Sequence, residues 1–426
     1  MLRIKEKLNR FYLLRACCHT FVYAALAFSI LNDGSFALYR KTFLQTLVFF
    51  SFFFYVMERS ISGKTVVGKS LMDMQVLVLV CFAIFISFFA QSKINAVNTI
   101  IQMLSCVCGF FVFVSMAKDR VLQIRLVWWV AFITLILCIY GLLIHFEIYL
   151  SPGWEFLHRL QKGNLCATFA NHNHLAGWLE MTILVFSSLL FIKKDSVPVS
   201  LIKISVLAVM VTTLIFSLSR GGWAATIAGA TFILFVAVFN HSFKASKKLL
   251  PVTAVIVFLV FLGIMGSASV INRGMTIVEK QEDVIPARTA VWKETVRMIK
   301  TFPLTGIGPG NYPTIIPQFQ PPGLKGIFYE AHNDYLQFTA EMGLLFIPLL
   351  IWLVVSFFKA GFKKLNHPSR QTRWLTLGAM GGIVAILVHS ASDFNLQFPS
   401  NALLFTLLAA QVAAPAPELK KTKFEG

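Results

Sequence analysis

Long apolar stretches separated by short polar segments run through almost the whole chain. Two of them read PVTAVIVFLVFLGIMG at 251–266 and GLLFIPLLIWLVVSFF at 343–358. In a bilayer every backbone polar group must be hydrogen-bonded within its own segment, so runs of this length predict spanning helices and not strands. The pattern predicts twelve such helices, at 12–31, 42–57, 71–90, 95–116, 126–149, 173–192, 200–217, 222–240, 251–271, 338–358, 374–390 and 399–414.

The polar segments divide this helical chain into four parts. Residues 1–271 hold the first nine helices, 272–337 form a long loop, 338–414 hold the last three helices, and 415–426 form a tail. A connection as long as 272–337 is uncommon unless it has structure or function of its own. The basic N-terminus precedes an apolar run of about 20 residues, which we interpret as an uncleaved helix and not a signal peptide.

Composition agrees with a membrane protein, and the distribution of charge orients it. The 426 residues are 57% hydrophobic and only 13% charged, whereas a soluble domain is about 25% charged. With the N-terminus in the cytoplasm, 25 of the 38 Lys and Arg residues fall on the cytoplasmic side. Seven of the other 13 lie in the long loop, whose translocation depends little on charge. We therefore expect both termini in the cytoplasm and the long loop outside it.

The sequence disfavours nucleic-acid binding, and it also disfavours a structural or metal-binding role for the cysteines. A net charge of +19 would suggest nucleic acid in a soluble protein, but here the basic residues lie in short loops that fix topology. No basic face is interleaved with aromatic residues, so we expect membrane lipids and no nucleic acid as partners. Only Cys166 of the seven cysteines falls in a predicted loop, which disfavours a disulfide framework or a cysteine metal site.

An amphipathic helix is predicted inside the long loop, over 284–302. Ile285, Trp292 and Ile299 form its apolar stripe. Arg288 falls within this stripe, and an arginine on a buried stripe needs an anion. The anion is a bound phosphate, an internal carboxylate or a lipid headgroup that the long side chain reaches. The glycine-rich sequence PLTGIGPGNYP that follows either presents backbone N–H groups to a phosphate or is a plain tight turn.

Two further polar groups lie at predicted helix ends on the outer side. Arg220, in SLSRGGW, occupies a turn too short to leave the membrane surface, where it is either a headgroup anchor or a contact for a substrate's phosphate. His332, in EAHNDYLQFTAEMG, is either a structural group or a proton acceptor near neutral pH, with Asn333 and Asp334 beside it. Asp334, Gln337 and Glu341 share one helical face.

Polar residues also open the sixth predicted helix and close the eleventh. In FANHNHLAGWLEM, Asn173, Gly177 and Glu180 share a face, and the histidines on either side of Asn173 diverge. His172 and His174 therefore suit hydrogen bonding to a sugar or to loop backbone better than a zinc site. The sequence HSASDFNLQFPSNALLF places several polar groups at the outer end of the eleventh predicted helix. One of them, Asp393, either caps the helix or pairs with an arginine. This end also carries His389 and Asn395.

At these residues the chain resembles the O-antigen ligase and O-antigen polymerase superfamily. The similar stretches run in the family's order from about 171 to 405, whereas the earlier helices are similar only in length and hydropathy. The ordered set indicates the superfamily, and it does not separate ligase from polymerase. The stretches are NHNHLAGWLEM, SLSRGGW, ARTAVWKETVRMIKTFPLTGIGPGNY, AHNDYLQFTAEMGLL and HSASDFNLQFPSNALLF.

The resemblance implies an all-α integral membrane protein of the GT-C type, with about twelve transmembrane helices and a partly helical periplasmic loop. It implies a bacterial inner-membrane enzyme that takes a glycan from undecaprenyl pyrophosphate at the periplasmic face. The acceptor is lipid A–core for a ligase, a second lipid-linked repeat for a polymerase, and pilin for related members. The family's arginines correspond to Arg220 and Arg288, and its histidine to His332. No cofactor and no metal are implied.

The chemistry of the residues agrees with this expectation. Arginines can hold a leaving pyrophosphate bidentately, and His332 can act as general base on the acceptor hydroxyl. Direct attack would invert the anomeric centre. A transporter of lipid-linked glycan is the alternative from another class, but transporters place their binding sites near the membrane midplane. Here the polar groups gather at one face, which favours an enzyme.

Overall fold

The structure is a computed structural model, and it describes residues 2–31, 38–67, 70–148, 164–243, 288–320 and 328–418. The helix predicted at 251–271 lies outside the described residues, as do 272–287 and most of the loop predicted at 150–172. The described residues contain helices and no strands.

Thirteen α-helices of nine residues or more occur within these ranges. In chain order they are α1 Leu2–Leu31, α2 Leu38–Ile61, α3 Asp73–Ser87, α4 Lys93–Met116, α5 Arg120–His145, α6 His172–Ser187, α7 Val197–Phe216, α8 Arg220–Phe239, α9 288–301, α10 Asp334–Met342, α11 Phe346–Leu365, α12 Arg370–His389 and α13 Pro399–Ala413.

The structure confirms an all-helical membrane protein, although the predicted number of twelve spans is not reached in the described residues. Eight of the described helices are long and apolar enough to cross a membrane, namely α1, α4, α5, α6, α7, α8, α11 and α12. The apolar helices α3 and α13 have only 15 residues each. Helix α2 has 24 residues, but charged residues lie near both of its ends.

The prediction of one continuous helix over 338–358 is wrong, because the chain breaks at Gly343. Gly343 has a φ of +78°, and a side chain there would overlap the backbone of Leu304. The N–H of Leu344 donates to the carbonyl of Pro303 at 2.7 Å. A left-handed glycine commonly ends a helix, so the segment becomes the separate helices α10 and α11.

Helices α6, α8 and α12 pack closely at the centre of the bundle. Trp178 of α6 is fully buried and donates from Nε1 to Thr134 Oγ1 of α5 at 2.8 Å. A methyl group added at Gly229 would lie 2.6 Å from the carbonyl oxygen of Gly381. Small residues allow such close approach between membrane helices. This packing fixes the start of α6, the start of α8 and the end of α12 at the same end of the bundle.

Candidate active site at the end of helix α12

One short segment, residues 389–395, connects the polar groups at this end of the bundle. It joins α12 to the 3₁₀ turn Asn395–Gln397. Side chains or backbone from α6, α8, α9 and α10 all contact it. The chain therefore brings together groups that are separated by as many as 220 positions, as for Asn173 and Asp393.

Asp393 is the buried acid of this segment. Its Oδ2 accepts a hydrogen bond from Nδ2 of Asn173, and its Oδ1 accepts from the N–H of Phe394 at 2.8 Å. Nδ1 of His332 lies 3.6 Å from Oδ1. Burial would raise the pKa of Asp393, but His332, together with His174 and a third nearby histidine, holds it below its usual range. Asp393 is therefore an ionised group beside His332.

His332 is held in an unusual backbone conformation. Its φ is +49°, in the left-handed region that residues other than glycine rarely adopt. The imidazole packs edge-on against Phe394, with ring centroids 5.1 Å apart. Its side chain keeps 25% exposure, and in the described part of the chain Nδ1 has no hydrogen-bond partner. Strained residues of this kind cluster at functional sites, and the exposed part of this imidazole remains accessible to a ligand while Nδ1 is buried on the side of Asp393.

The residues that follow His332 anchor it to the 389–395 segment. Asn333 donates from Nδ2 to the carbonyl of Ala391 at 3.0 Å, and its Oδ1 caps α10 by accepting from Leu336 N–H at 3.0 Å. The backbone N–H of Asp334 donates to the carbonyl of Ser390 at 2.9 Å. These bonds hold the loop of His332 against the end of α12.

Asp334 is buried and serves mainly to hold this loop in place. Its Oδ2 accepts from Ser390 Oγ at 2.8 Å and from the N–H of Leu396 at 3.0 Å. Burial raises the pKa of Asp334 to about 7 in spite of these hydrogen bonds. Its Oδ1 has no partner within the described ranges.

Arg288 reaches the same segment through its side chain, and Arg220 precedes Gly221, whose backbone packs against His389 and Ser392 of that segment. Arg288, at the first described residue of α9, donates from Nη1 to the carbonyl of Ser392 at 3.4 Å. Arg220 is the first residue of α8 and is exposed. In the described parts of the chain, neither guanidinium lies within 4.0 Å of a carboxylate oxygen. The internal carboxylate considered for Arg288 is therefore absent from these parts.

Helix α6 presents the predicted polar face to the 389–395 segment. Asn173 binds Asp393, and a methyl group at Gly177 would lie 2.5 Å from Oδ1 of Asn395. Glu180 Oε2 lies 3.0 Å from Nδ1 of His389. The three residues of this predicted face thus all contact the 389–395 segment.

The two histidines at the start of α6 lie in different surroundings. His174 is buried, its Nδ1 lies 3.2 Å from Asn395 Oδ1, and its ring stacks on Phe398 at 3.8 Å between centroids. His172 is the first residue of α6 and is partly buried. His174 is therefore a packed structural residue, and the predicted divergence of the two side chains agrees with this placement.

Helix α9 packs along the loop that carries His332. Trp292 donates from Nε1 to the carbonyl of Ala331 at 2.9 Å, and Thr295 Oγ1 lies 2.6 Å from the hydroxyl of Tyr312. The basic residues on the opposite face of α9 are exposed. These are Lys293, Arg297 and Lys300.

The glycine-rich turn after α9 is a structural turn and not a phosphate cradle. Gly306, Gly308 and Gly310 all have positive φ. The N–H of Gly306 donates to Phe302 O at 3.0 Å, that of Gly308 to Glu341 O at 2.9 Å, and that of Gly310 to Glu341 Oε2 at 2.9 Å. Because internal acceptors occupy all three N–H groups, the tight-turn alternative is correct.

Sequence reasoning identified the charged residues of the site but missed the backbone that holds them. The carbonyls of Ser390, Ala391 and Ser392 accept from the loop of His332 and from Arg288. The polar sequence HSASDFN indicated this segment, although nothing in it showed which backbone carbonyls would accept hydrogen bonds. Across the described ranges, no three His, Cys, Asp or Glu side chains are grouped so that they could hold a metal ion.

Comparison with protein families identifies part of the chain. Residues 205–352 match the O-antigen ligase family. This range is about a third of the chain and contains Arg220, Arg288 and His332, while Asn173 and Asp393 lie outside it. The resemblance stated from the sequence is thus confirmed. No curated protein matches the chain.

Proposed function

We propose, from the O-antigen ligase match over residues 205–352, that the protein transfers a glycan from undecaprenyl pyrophosphate to an acceptor hydroxyl. We assign lipid A–core as the acceptor, as in lipopolysaccharide biosynthesis, in an inverting enzyme of the GT-C type at the periplasmic face of the inner membrane. The observation that supports this most directly is that the turn carrying Arg220, the side chain of Arg288 and the side chain of His332 all lie against the 389–395 segment.

His332 is the general base in this proposal. Asp393 lies on the Nδ1 side of the imidazole, 3.6 Å away, and is ionised. A carboxylate there stabilises the imidazolium and favours the tautomer that carries its proton on Nδ1. Nε2 is then the atom that accepts the proton of the acceptor hydroxyl while that oxygen attacks the anomeric carbon.

The two arginines hold the leaving group. The bond from the anomeric carbon to the pyrophosphate oxygen breaks, and negative charge grows on the phosphate as it leaves. Guanidinium groups bind phosphate oxygens bidentately, and Arg220 and Arg288 have no competing carboxylate in the described residues. Attack on the face opposite the pyrophosphate gives inversion. Holding both lipid-anchored substrates at one membrane face also supplies proximity.

Reconstitution tests the proposal directly. The purified protein in proteoliposomes would receive labelled undecaprenyl-pyrophosphate-linked glycan and either lipid A–core or a second lipid-linked repeat. We expect the label on lipid A–core, with one undecaprenyl pyrophosphate released for each glycan transferred. Arg297→Ala, which changes an exposed arginine of α9, is the matched control and should transfer normally.

Each other outcome contradicts part of the proposal. Label on the second repeat alone would identify a polymerase, and label on added pilin alone would identify a protein glycosyltransferase. Movement of labelled glycan across the vesicle bilayer without a new glycosidic bond would identify a transporter. Any of these results would replace the assigned acceptor or the assigned reaction.

A further inference from the structure

A buried acid–imidazole pair lies beneath the candidate site. Glu180 of α6 and His389 of α12 are 0% and 1% exposed, and Glu180 Oε2 lies 3.0 Å from His389 Nδ1. Glu180 stands in the interior of a membrane-spanning helix, where an ionisable group is costly and is often functional. The proton transfer and phosphate binding proposed above use neither residue.

The outer side of the His389 ring faces the turn that carries Arg220. A methyl group added at Gly221 would lie 2.8 Å from both Cδ2 and Nε2 of His389, and 3.1 Å from Ser392 Oγ. At Gly222 it would lie 2.5 Å from Cβ of Ala176. The two glycines after Arg220 therefore allow the first turn of α8 to rest on the end of α12 and on α6.

We propose that His389, oriented by Glu180, is a positioning residue for Arg220. Glu180 fixes the imidazole through Nδ1, and the opposite edge of the ring supports the backbone at Gly221, which sets where the Arg220 guanidinium can reach. The inference rests on the proposed role of Arg220 in binding the donor pyrophosphate. It adds Glu180 and His389 to the residues that determine donor binding, although neither touches the substrate.

The pair is also linked to Arg288, because His389 lies in the same segment as Ser392. Ser392, three residues after His389, accepts from Arg288 through its carbonyl and lies beside Gly221 through its hydroxyl. One rigid segment thus sets the separation of the two guanidinium groups. A pyrophosphate has a fixed size, so its affinity depends on that separation.

A structural role alone does not account well for the pair. A buried ion pair often stabilises a fold no better than apolar residues of the same volume, because desolvation offsets the attraction. In this protein α6 and α12 already pack through apolar residues such as Met181 and Ile386, both fully buried. The pair is therefore better explained by the geometry that it imposes on the Arg220 turn.

The test measures KM for the lipid-linked donor and kcat in proteoliposomes. Displacement of a binding group by about 1 Å can cost on the order of 10²-fold in rate, so we expect His389→Ala to lower kcat/KM for the donor by about 10²-fold. The same change made in an Arg220→Ala background should cost little more. A structural defect would instead add its full cost in both backgrounds.

A second set of variants tests the contact at Gly221 itself. Gly221→Ala places a methyl group against His389 and should impair use of the donor, whereas the same change made in the His389→Ala background has room and should add little to the cost of His389→Ala alone. Gly109→Ala is the matched control, because its methyl group would meet neighbours no closer than 3.6 Å. Glu180→Gln, which keeps an oxygen for Nδ1, should remain closer to the wild type than Glu180→Ala.

The outcomes separate this inference from the proposed function. If Arg220→Ala impairs use of the donor but His389→Ala does not, the positioning role is wrong and the proposed function stands. If His389→Ala costs as much without Arg220 as with it, the pair is only structural. If Arg220→Ala leaves the donor KM and kcat unchanged, the assigned role of Arg220 is wrong and the inference fails with it.

Discussion

Two polar turns flank helix α10, and they differ in what their polar atoms do. At its start, the 389–395 segment holds the partly exposed His332 beside Asp393, and it lies near two arginines without a carboxylate partner in the described residues. At its end, the turn at 306–310 has its glycine N–H groups bonded to internal acceptors, two of them on Glu341. In the sequence, the two arginines and the glycine-rich turn all looked able to bind phosphate. Only the first keeps polar groups free for a ligand.

The two carboxylates of α10 show the same contrast on one helix. Burial raises the pKa of both Asp334 and Glu341 to about 7. Glu341 accepts N–H groups from the glycine turn, at Gly310 and Tyr312. Asp334 binds Ser390 and Leu396 but keeps one oxygen unpaired in the described structure. A raised pKa therefore does not by itself distinguish a site residue from a structural one.

The largest effect is expected at the first turn, from His332→Ala. A general base typically contributes about 10²–10⁴-fold, so turnover should fall by that factor while the donor still binds. The measurement is kcat together with donor affinity for protein shown to be stably inserted. Near-normal transfer by a well-inserted His332→Ala protein would refute the assignment, and His172 would be the next candidate.

A smaller effect is expected from Arg220→Lys and Arg288→Lys. Lysine keeps the charge but loses the planar fork that binds two phosphate oxygens. A charge-assisted hydrogen bond contributes about 1.5–3 kcal/mol, so each change should weaken donor use by about 10–150-fold. Donor KM and kcat should worsen together, as measured with the lipid-linked glycan. Full activity with lysine at both positions would show that the guanidinium groups are only headgroup anchors.

At the second turn we expect a loss of stability and not of chemistry. Glu341→Ala leaves the N–H groups of Gly310 and Tyr312 without their acceptor, and each unpaired buried group costs about 1–3 kcal/mol. The thermal unfolding temperature in detergent should fall, whereas kcat of the folded fraction should change far less than in His332→Ala. Glu418→Ala, at an exposed carboxylate, is the control. A kcat loss as large as that of His332→Ala at unchanged stability would contradict the comparison.

Chelation should have the smallest effect of all. The carboxylates of the described residues are engaged separately, with Asp393 on Asn173 and Asp334 on Ser390. We therefore expect transfer to continue at an unchanged rate in EDTA. Loss of activity that Mg²⁺ or Mn²⁺ restores would make the unpaired oxygen of Asp334 the first ligand to test.

Hydrophobic periodicity predicted the helical class and most helix positions, because membrane helices must satisfy their own backbone. It failed at 338–358, where the apolar sequence continues although the helix ends at Gly343. The polar face of Asn173, Gly177 and Glu180 was predictable for a similar reason, since residues three and four apart share a helix face. Its partners were not, because they lie more than 200 residues later in the chain.

The arginines and His332 were identified from their residue types and neighbours, and the resemblance supported them. The conformation of His332 could not be predicted, because nothing in AHND requires a left-handed φ at that histidine. The role of the Ser390 and Ser392 carbonyls was also hidden, since any residue has a carbonyl and only the tertiary structure selects one. The sequence therefore indicated candidate side chains for the site, but not the backbone that holds them together.

The late position of the 389–395 segment has a consequence for biosynthesis. A ribosome that has made the first 388 residues has already made Arg220, Arg288 and His332, yet none of the atoms that join them. The contacts that form the candidate site span separations of 220 and 104 positions, so they can close only after residues 392 and 393 have been made. A nascent chain therefore lacks these contacts until residues 389–395 have been made, and a product truncated before them would lack the segment that contacts Arg288 and His332.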